Sequence, residues 1–227
     1  MNKTYHPAVF TDSILRHIAN SSILPEQGLL LDPFAGTGKV HQLAHISLHT
    51  VGVELEPEWA NLHPNTIVGN ALELPFRDES FDAVVTSPVY GNRMSDSHNA
   101  KDPSIRRSYT HDLQRSTGDT DRKLHKDNAG TLYAWGEKYW RFHRAAWMEV
   151  ARVTKPGGVF LLNISDCIRN RLVVPVVDRH ANICQTYFSL EDTHEIKTPR
   201  MGYGANGKAR VDTEVILIFR RKHALSE

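Results

Sequence analysis

Two acids and a pair of glycines carry the first chemistry in this sequence. Asp32 follows the apolar run Leu29-Leu30-Leu31, and Ala35, Gly36 and Gly38 come close behind it. The run is short enough for a buried strand, and Val40, Leu43, Ala44 and Leu48 set a helical rhythm after the turn. Strand, glycine-rich turn and helix let a ligand approach the backbone and the helix N-terminus. A side chain on those glycines would push the ligand away or forbid the turn. The spacing fits neither the dinucleotide pattern G-x-G-x-x-G nor the P-loop pattern G-x-x-x-x-G-K-[ST]. Asp32 would repel a phosphate but could serve a ligand that carries positive charge. Taken alone, the turn is equally compatible with a tight connection. Glu54 adds to it, standing at the end of a short strand around Val51 and Val53, about 20 residues on. There an acid takes ribose hydroxyls in doubly wound nucleotide folds.

A third short strand, within 66–76, ends near Gly69-Asn70-Ala71. A fourth, Phe81 to Val85, runs into Ser87-Pro88-Val89-Tyr90. At this point the chain resembles the Rossmann-like, S-adenosylmethionine-dependent amino-methyltransferases of DNA. DPFAGTG, residues 32–38, resembles that family's cofactor loop. SPVY, residues 87–90, resembles its catalytic tetrapeptide [D/N/S]-P-P-[Y/F/W], with Val89 where the family usually has Pro. The resemblance covers nearly the whole chain.

It implies S-adenosylmethionine as cofactor, held by Pro7, Phe10 and Thr11 of the N-terminal loop. The other implied contacts are Asp32, Pro33, Phe34, Ala35, Gly36 and Gly38, then Glu54 and Leu55, then Asn70 and Ala71. Asp32 would face the methionine amino group and Glu54 the ribose. Leu55 is read either as packing on the adenine ring or as core. Many family members have Asp where Asn70 stands; Asn can still both accept and donate. The implied catalytic residues are Ser87, Pro88 and Tyr90. The Ser87 hydroxyl and the Pro88 carbonyl would accept the protons of an exocyclic base amine and drain the charge that builds on it. Tyr90 would offer an aromatic face to a base flipped from its stack. Val89 restores an N–H and loosens the turn, but spares all three groups.

Ser in the first position leans toward cytosine N4 over adenine N6. The order of motifs resembles the gamma arrangement. Three readings stand: a DNA amino-methyltransferase, an RNA methyltransferase of the guanine-N2 type, and a cofactor-binding subunit without activity. Intact Ser87, Pro88, Tyr90, Asp32 and Glu54 argue against the last. The expected partner is DNA, with RNA second, for a monomer or homodimer.

The elements around these groups follow from patterning. At 227 residues and a formal charge of +1, the chain suits one α/β domain. The resemblance implies a Rossmann-like, seven-stranded, mostly parallel sheet with an antiparallel final strand. No apolar run approaches the ~20 residues of a membrane span. The N-terminus lacks a signal h-region, and two cysteines without metal spacing suggest a reduced, cytoplasmic setting. Thirteen histidines show no zinc spacing, so no metal is expected. A first helix begins at Thr11 or Asp12, with Ile14, Leu15, Ile18 and Ala19 inward. A long helix starts near Glu137, with Tyr139, Phe142, Ala146, Met148 and Val150 on its apolar face, and stops at Lys155-Pro156-Gly157-Gly158. Strands are expected at 159–166, 194–197 and 214–220, and a helix at 172–187. Glu56 and Glu58 read as solvated.

Residues 91–130 differ from the rest. Large apolar residues are few, and no period is clear. Such a stretch is expected to be a functional or disordered insertion. With eight Lys or Arg against six Asp or Glu it is only mildly basic. Arg93, Arg106, Arg107, Arg115, Arg122, Lys123 and Lys126 are candidates for phosphates, and Tyr109 for base stacking. The insertion leaves directly from the catalytic tetrapeptide, which favours substrate recognition.

Overall fold

Nine strands and five helices are seen in the computed structural model, which describes residues 6, 10–46, 48–91, 108–198 and 211–223. The strands are β1 Gly28–Asp32, β2 Leu48–Glu54, β3 Thr66–Val68, β4 Phe81–Thr86, β5 Thr154–Ile164, β6 Cys167–Arg169, β7 Leu172–Val174, β8 Phe188–Lys197 and β9 Thr213–Arg221. The helices are α1 Asp12–Asn20, α2 Pro57–Ala60, α3 Tyr109–Thr117, α4 Glu137–Val153 and α5 Val176–Cys184. Seven strands form one sheet in the order β3-β2-β1-β4-β5-β9-β8. Pairing is parallel from β3 to β5, and β9 runs antiparallel to both β5 and β8. The expected sheet, with its antiparallel final strand, is the one observed.

Burial explains why the central strands are nearly continuous apolar runs. Leu31, Val84, Phe160 and Leu162 face a layer built by α4 and α5. Leu30, Ala83, Val85 and Leu161 face α1 and the turn after β1. A strand covered on both faces has no solvent side to keep polar. Strand order reverses between β1 and β4, and at such a switch point the carboxyl ends of the strands part to leave a crevice. Asp32 ends β1 and Thr86 ends β4, so the two motifs from the sequence flank that crevice.

Several expectations are corrected. The segment after the glycine turn, Lys39–Ile46, is a 3-10 helix, although Val40 and Leu43 are buried as the rhythm required. Helix α4 stops at Val153 and enters β5 at once, ahead of the Pro-Gly-Gly expected to end it. On α4 Met148 is exposed, while Trp140 and Trp147 are buried. The span 172–187 is not one helix: β6 and β7 form a hairpin around Asn170 and Arg171, both at positive φ, and only 176–184 is helical. Val173 is exposed. Among the described residues no helix is long and apolar enough to cross a membrane.

Within the insertion, residues 108–130 are more ordered than their composition implied. Ser108 caps α3 by accepting from the His111 N–H at 3.3 Å, and Gly118 closes it at φ +75°. Tyr109 and Leu113, one turn apart, pack on Trp59. Beyond α3, Arg122 donates to Glu56 at 3.0 Å and to Glu58 at 2.6 and 2.9 Å. The His125 N–H and Asn128 Nδ2 each reach Glu56 at 2.8 Å. Glu56 is therefore fully buried, and the expectation of a solvated acid fails because three residues, Arg122, His125 and Asn128, bring donors to it from a distant stretch of chain.

Candidate active site

The glycine turn is held by the second acid. Glu54 Oε2 accepts from the Gly36 N–H at 2.9 Å, and its Oε1 from the Glu56 N–H at 2.9 Å. Gly36 sits at φ +52°, and a Cβ there would lie 3.2 Å from the His6 ring. Any other residue would be strained and would crowd the turn. Burial pushes the Glu54 carboxyl up to about 7, against backbone hydrogen bonds from Glu56, Gly36 and Leu55 that pull it down.

Asp32 is buried behind the turn. Its Oδ1 accepts from Thr86 Oγ at 2.6 Å and from the Phe34 N–H at 3.0 Å. Its Oδ2 has no hydrogen-bond partner among the described residues. Burial lifts its pKa to about 7, opposed by those two bonds. A buried carboxylate oxygen without a donor is costly, and a cationic ligand at the strand end would relieve it.

A single pocket joins the two motifs. Pro33, Phe34, Ala35, Thr37 and Lys39 line it from the turn; Glu54 and Leu55 from the end of β2; Gly69, Asn70 and Ala71 from the end of β3. Ser87, Pro88, Val89 and Tyr90 line it from the end of β4. Phe10 borders it, while Asp32, Gly36 and Gly38 shape the turn from outside the lining. Asn70 accepts the Leu72 N–H at 2.9 Å, which fixes its side chain at the rim. Thr11 ends up as the residue before α1, its hydroxyl 2.9 Å from that of Ser13. Pro7 lies outside the described residues.

The corner itself is tightly held. Asn163 Nδ2, from β5, donates to Ser87 Oγ at 3.1 Å and to Glu214 Oε2, from β9, at 2.7 Å. The Tyr90 N–H donates to the Tyr109 hydroxyl at 3.3 Å. The Gly91 carbonyl accepts from the Ala134 N–H at 2.7 Å, and a Cβ on Gly91 would strike that same nitrogen. The Pro88 carbonyl accepts no hydrogen bond among the described residues.

The nucleic-acid candidates divide. Tyr109 is 4% exposed, packs on Trp59 and holds Tyr90 through its hydroxyl, and it also lines the pocket. Arg122 is committed to Glu56 and Glu58. Arg115 and Lys123 are exposed. Arg93, Arg106 and Arg107 lie outside the described residues. Asn128, Phe142, Asn163 and Glu214 line the pocket, although the sequence reading gave them no role in the site. Asn163 did leave a signal, as the one polar side chain in the apolar run Val159 to Ile164. Among the described residues no cluster of His, Cys, Asp and Glu is arranged to hold a metal.

Comparison with known proteins agrees with this geometry. Residues 81–225 match the model of a family described as DNA methylase. Residues 31–96 match one described as a methyltransferase domain. The fold is similar to that of an S-adenosylmethionine-dependent methyltransferase from Methanosarcina mazei, at 14% identity and TM-score 0.56, over 98% of this chain and 100% of that one. It is also similar to the YcgJ protein of Bacillus subtilis, at 15% identity and TM-score 0.55, over 94% and 100%. The [4+2]-cyclase SpnF shares it at 14% identity and TM-score 0.56, over 94% and 82%. At such identities only the fold is shared, and the cyclase is a reminder that this fold hosts other chemistry. No curated protein matches the chain in sequence.

Proposed function

The chain belongs to the DNA methylase family and is an S-adenosylmethionine-dependent methyltransferase, and from that premise we propose that it methylates an exocyclic amine of a DNA base, with cytosine N4 favoured over adenine N6. The observation that carries this reading is the shared pocket: Ser87, Pro88 and Tyr90 border the same space as Glu54, Leu55 and Asn70. A cofactor-only pocket has no need of a second wall of polar and aromatic groups.

The residues present fit the cofactor. Asp32 brings a carboxylate with a free buried oxygen to the strand end, suited to the cationic methionine end. Glu54 keeps unused lone pairs on oxygens already oriented by two N–H groups, suited to ribose hydroxyls. Leu55 and Asn70 border the space an adenine ring would take. Bound S-adenosylmethionine supplies an electrophilic methyl on a sulfonium. The chain's own task is to position the amine and take up its protons. The Pro88 carbonyl is open to accept one of them. Tyr90 offers its ring as a platform for a base out of the stack. Among residues 91–130, exposed Arg115 and Lys123 would meet phosphates.

The test is incubation with labelled cofactor and separate DNA and RNA pools, followed by mass spectrometry of nucleosides. N4-methylcytosine in DNA supports the reading in full. N6-methyladenine corrects the base and keeps the class. Label confined to RNA, or absent from both pools, overturns it.

A further inference from the structure

The polar wall beside Pro88 fixes the direction of its hydrogen bonds. Asn163 Nδ2 lies 2.7 Å from Glu214 Oε2 and 3.1 Å from Ser87 Oγ. A carboxylate only accepts, so Glu214 forces the nitrogen of the amide toward itself, and the second Nδ2 proton falls to Ser87. This orientation leaves Asn163 Oδ1 buried and without a partner among the described residues. Turning the amide over would set that oxygen against the carboxylate, which is worse. Ser87 Oγ therefore accepts from Asn163, and its own O–H donates to no group among the described residues. Accepting a hydrogen bond strengthens a hydroxyl as a donor. Ser87 lines the pocket beside the open Pro88 carbonyl.

We infer that Glu214, acting through Asn163, makes Ser87 a hydrogen-bond donor to a substrate ring nitrogen that neighbours the target amine. The sequence expectation of Ser87 as one of two acceptors for the amine is thereby revised. The matching substrate edge is an amidine: an acceptor nitrogen next to an exocyclic amine, as in N3 and N4 of cytosine or N1 and N6 of adenine. The Watson–Crick neighbour of the guanine N2 amine is an N–H donor and would meet the Ser87 hydrogen head-on. Glu214 and Asn163 are positioning residues in this scheme; Ser87 touches the base. The inference rests on reading the corner as the base subsite of a DNA methyltransferase.

The test pairs substrate and protein changes. Oligonucleotides carrying cytosine or 3-deazacytosine, and adenine or 1-deazaadenine, are compared in single-turnover methyl transfer by wild type, Ser87→Ala and Glu214→Gln. The deaza change alters the intrinsic reactivity of the amine equally for all three proteins, so only the ratio of natural to deaza rates matters. An unpaired buried donor should make that ratio about 5–150-fold larger for wild type than for Ser87→Ala. Glu214→Gln keeps the volume but lets the Asn163 amide turn over, so its ratio should fall toward that of Ser87→Ala with no loss of melting temperature. If Ser87→Ala is too slow to read, the Glu214→Gln ratio decides. Equal ratios across the proteins overturn the inference while leaving the DNA reading intact. No transfer to either natural oligonucleotide overturns the DNA reading and this inference with it.

Discussion

The Thr86 hydroxyl donates to Asp32 Oδ1 across 2.6 Å, joining the ends of β4 and β1 at the point where strand order reverses. Each residue belongs to one motif: Asp32 opens the glycine turn, and Thr86 immediately precedes the corner Ser87-Pro88-Val89-Tyr90. Thr86→Val deletes the hydroxyl while nearly keeping the shape. It should cost ~1–3 kcal/mol of stability and weaken cofactor binding, because the carboxylate loses one of the donors that hold it. Urea unfolding and calorimetric titration read the two effects. No change in either would show that the contact positions nothing.

The pH dependence of Asp32 has a definite sign. Its pKa is raised from 3.8 to about 7 by burial. A carboxyl raised on folding contributes stability that is present below its unfolded value and is lost as pH rises through the folded one. Asp32→Asn should therefore be close to neutral near pH 4 and more stable than wild type at pH 8, in protein without cofactor. The buried histidines His41 and His143, lowered by desolvation to about 4 and about 3, titrate alike in both proteins and cancel in the difference. Saturating S-adenosylmethionine should reverse the order at pH 8, since the cation favours the ionised acid. Thermal melts across pH check both, and a difference that is flat from pH 4 to pH 8 would contradict the burial of this carboxyl.

Glu54→Ala removes the acceptor for the Gly36 and Glu56 N–H groups and, in the proposed function, for the ribose. Cofactor Kd should weaken ~5–150-fold, from ~1–3 kcal/mol of unpaired groups. Tyr90→Ala should do the reverse, leaving cofactor Kd alone and losing ~1–3 kcal/mol of base stacking in the KM for DNA. Exchange of these two patterns between the variants would swap the assigned ends of the pocket.

Charge reversal at Arg115 and Lys123 tests the folded part of the insertion more cleanly than deletion, which would strip Tyr109 and Arg122 from the fold. If both meet phosphates, the double change to Glu should lower the salt slope of oligonucleotide binding by about 2 and leave cofactor affinity unchanged. An unaltered slope would move the phosphate contacts elsewhere.

The parts of the site legible in the sequence were local. Asp32, Glu54 and Ser87 each stand at or just after the end of a strand, where side chains and backbone turn toward a ligand. The buried carboxylate of Glu56 was not legible, because its partner Arg122 is 66 residues away. Helix α3 hid because only Tyr109 and Leu113 supply its apolar contact, too few to set a period. The hairpin of β6 and β7 hid behind a run of valines that suits a helix as well as a strand. Glu214 opens an ordinary-looking strand, and only the fold sets it against Asn163.

The anchoring of Gly91 has a consequence for how recognition can vary. Gly91 is tied to Ala134, and Ser108, 4% exposed, starts α3. Gly91 and Ser108 thus stand as two fixed posts at the ends of the span 92–107. Loop closure between fixed ends grows slowly with length, about 0.6 kcal/mol for each doubling of a flexible segment. A change in the length of chain between these posts therefore carries little closure cost, and the pair forms a socket that accepts connections of different length.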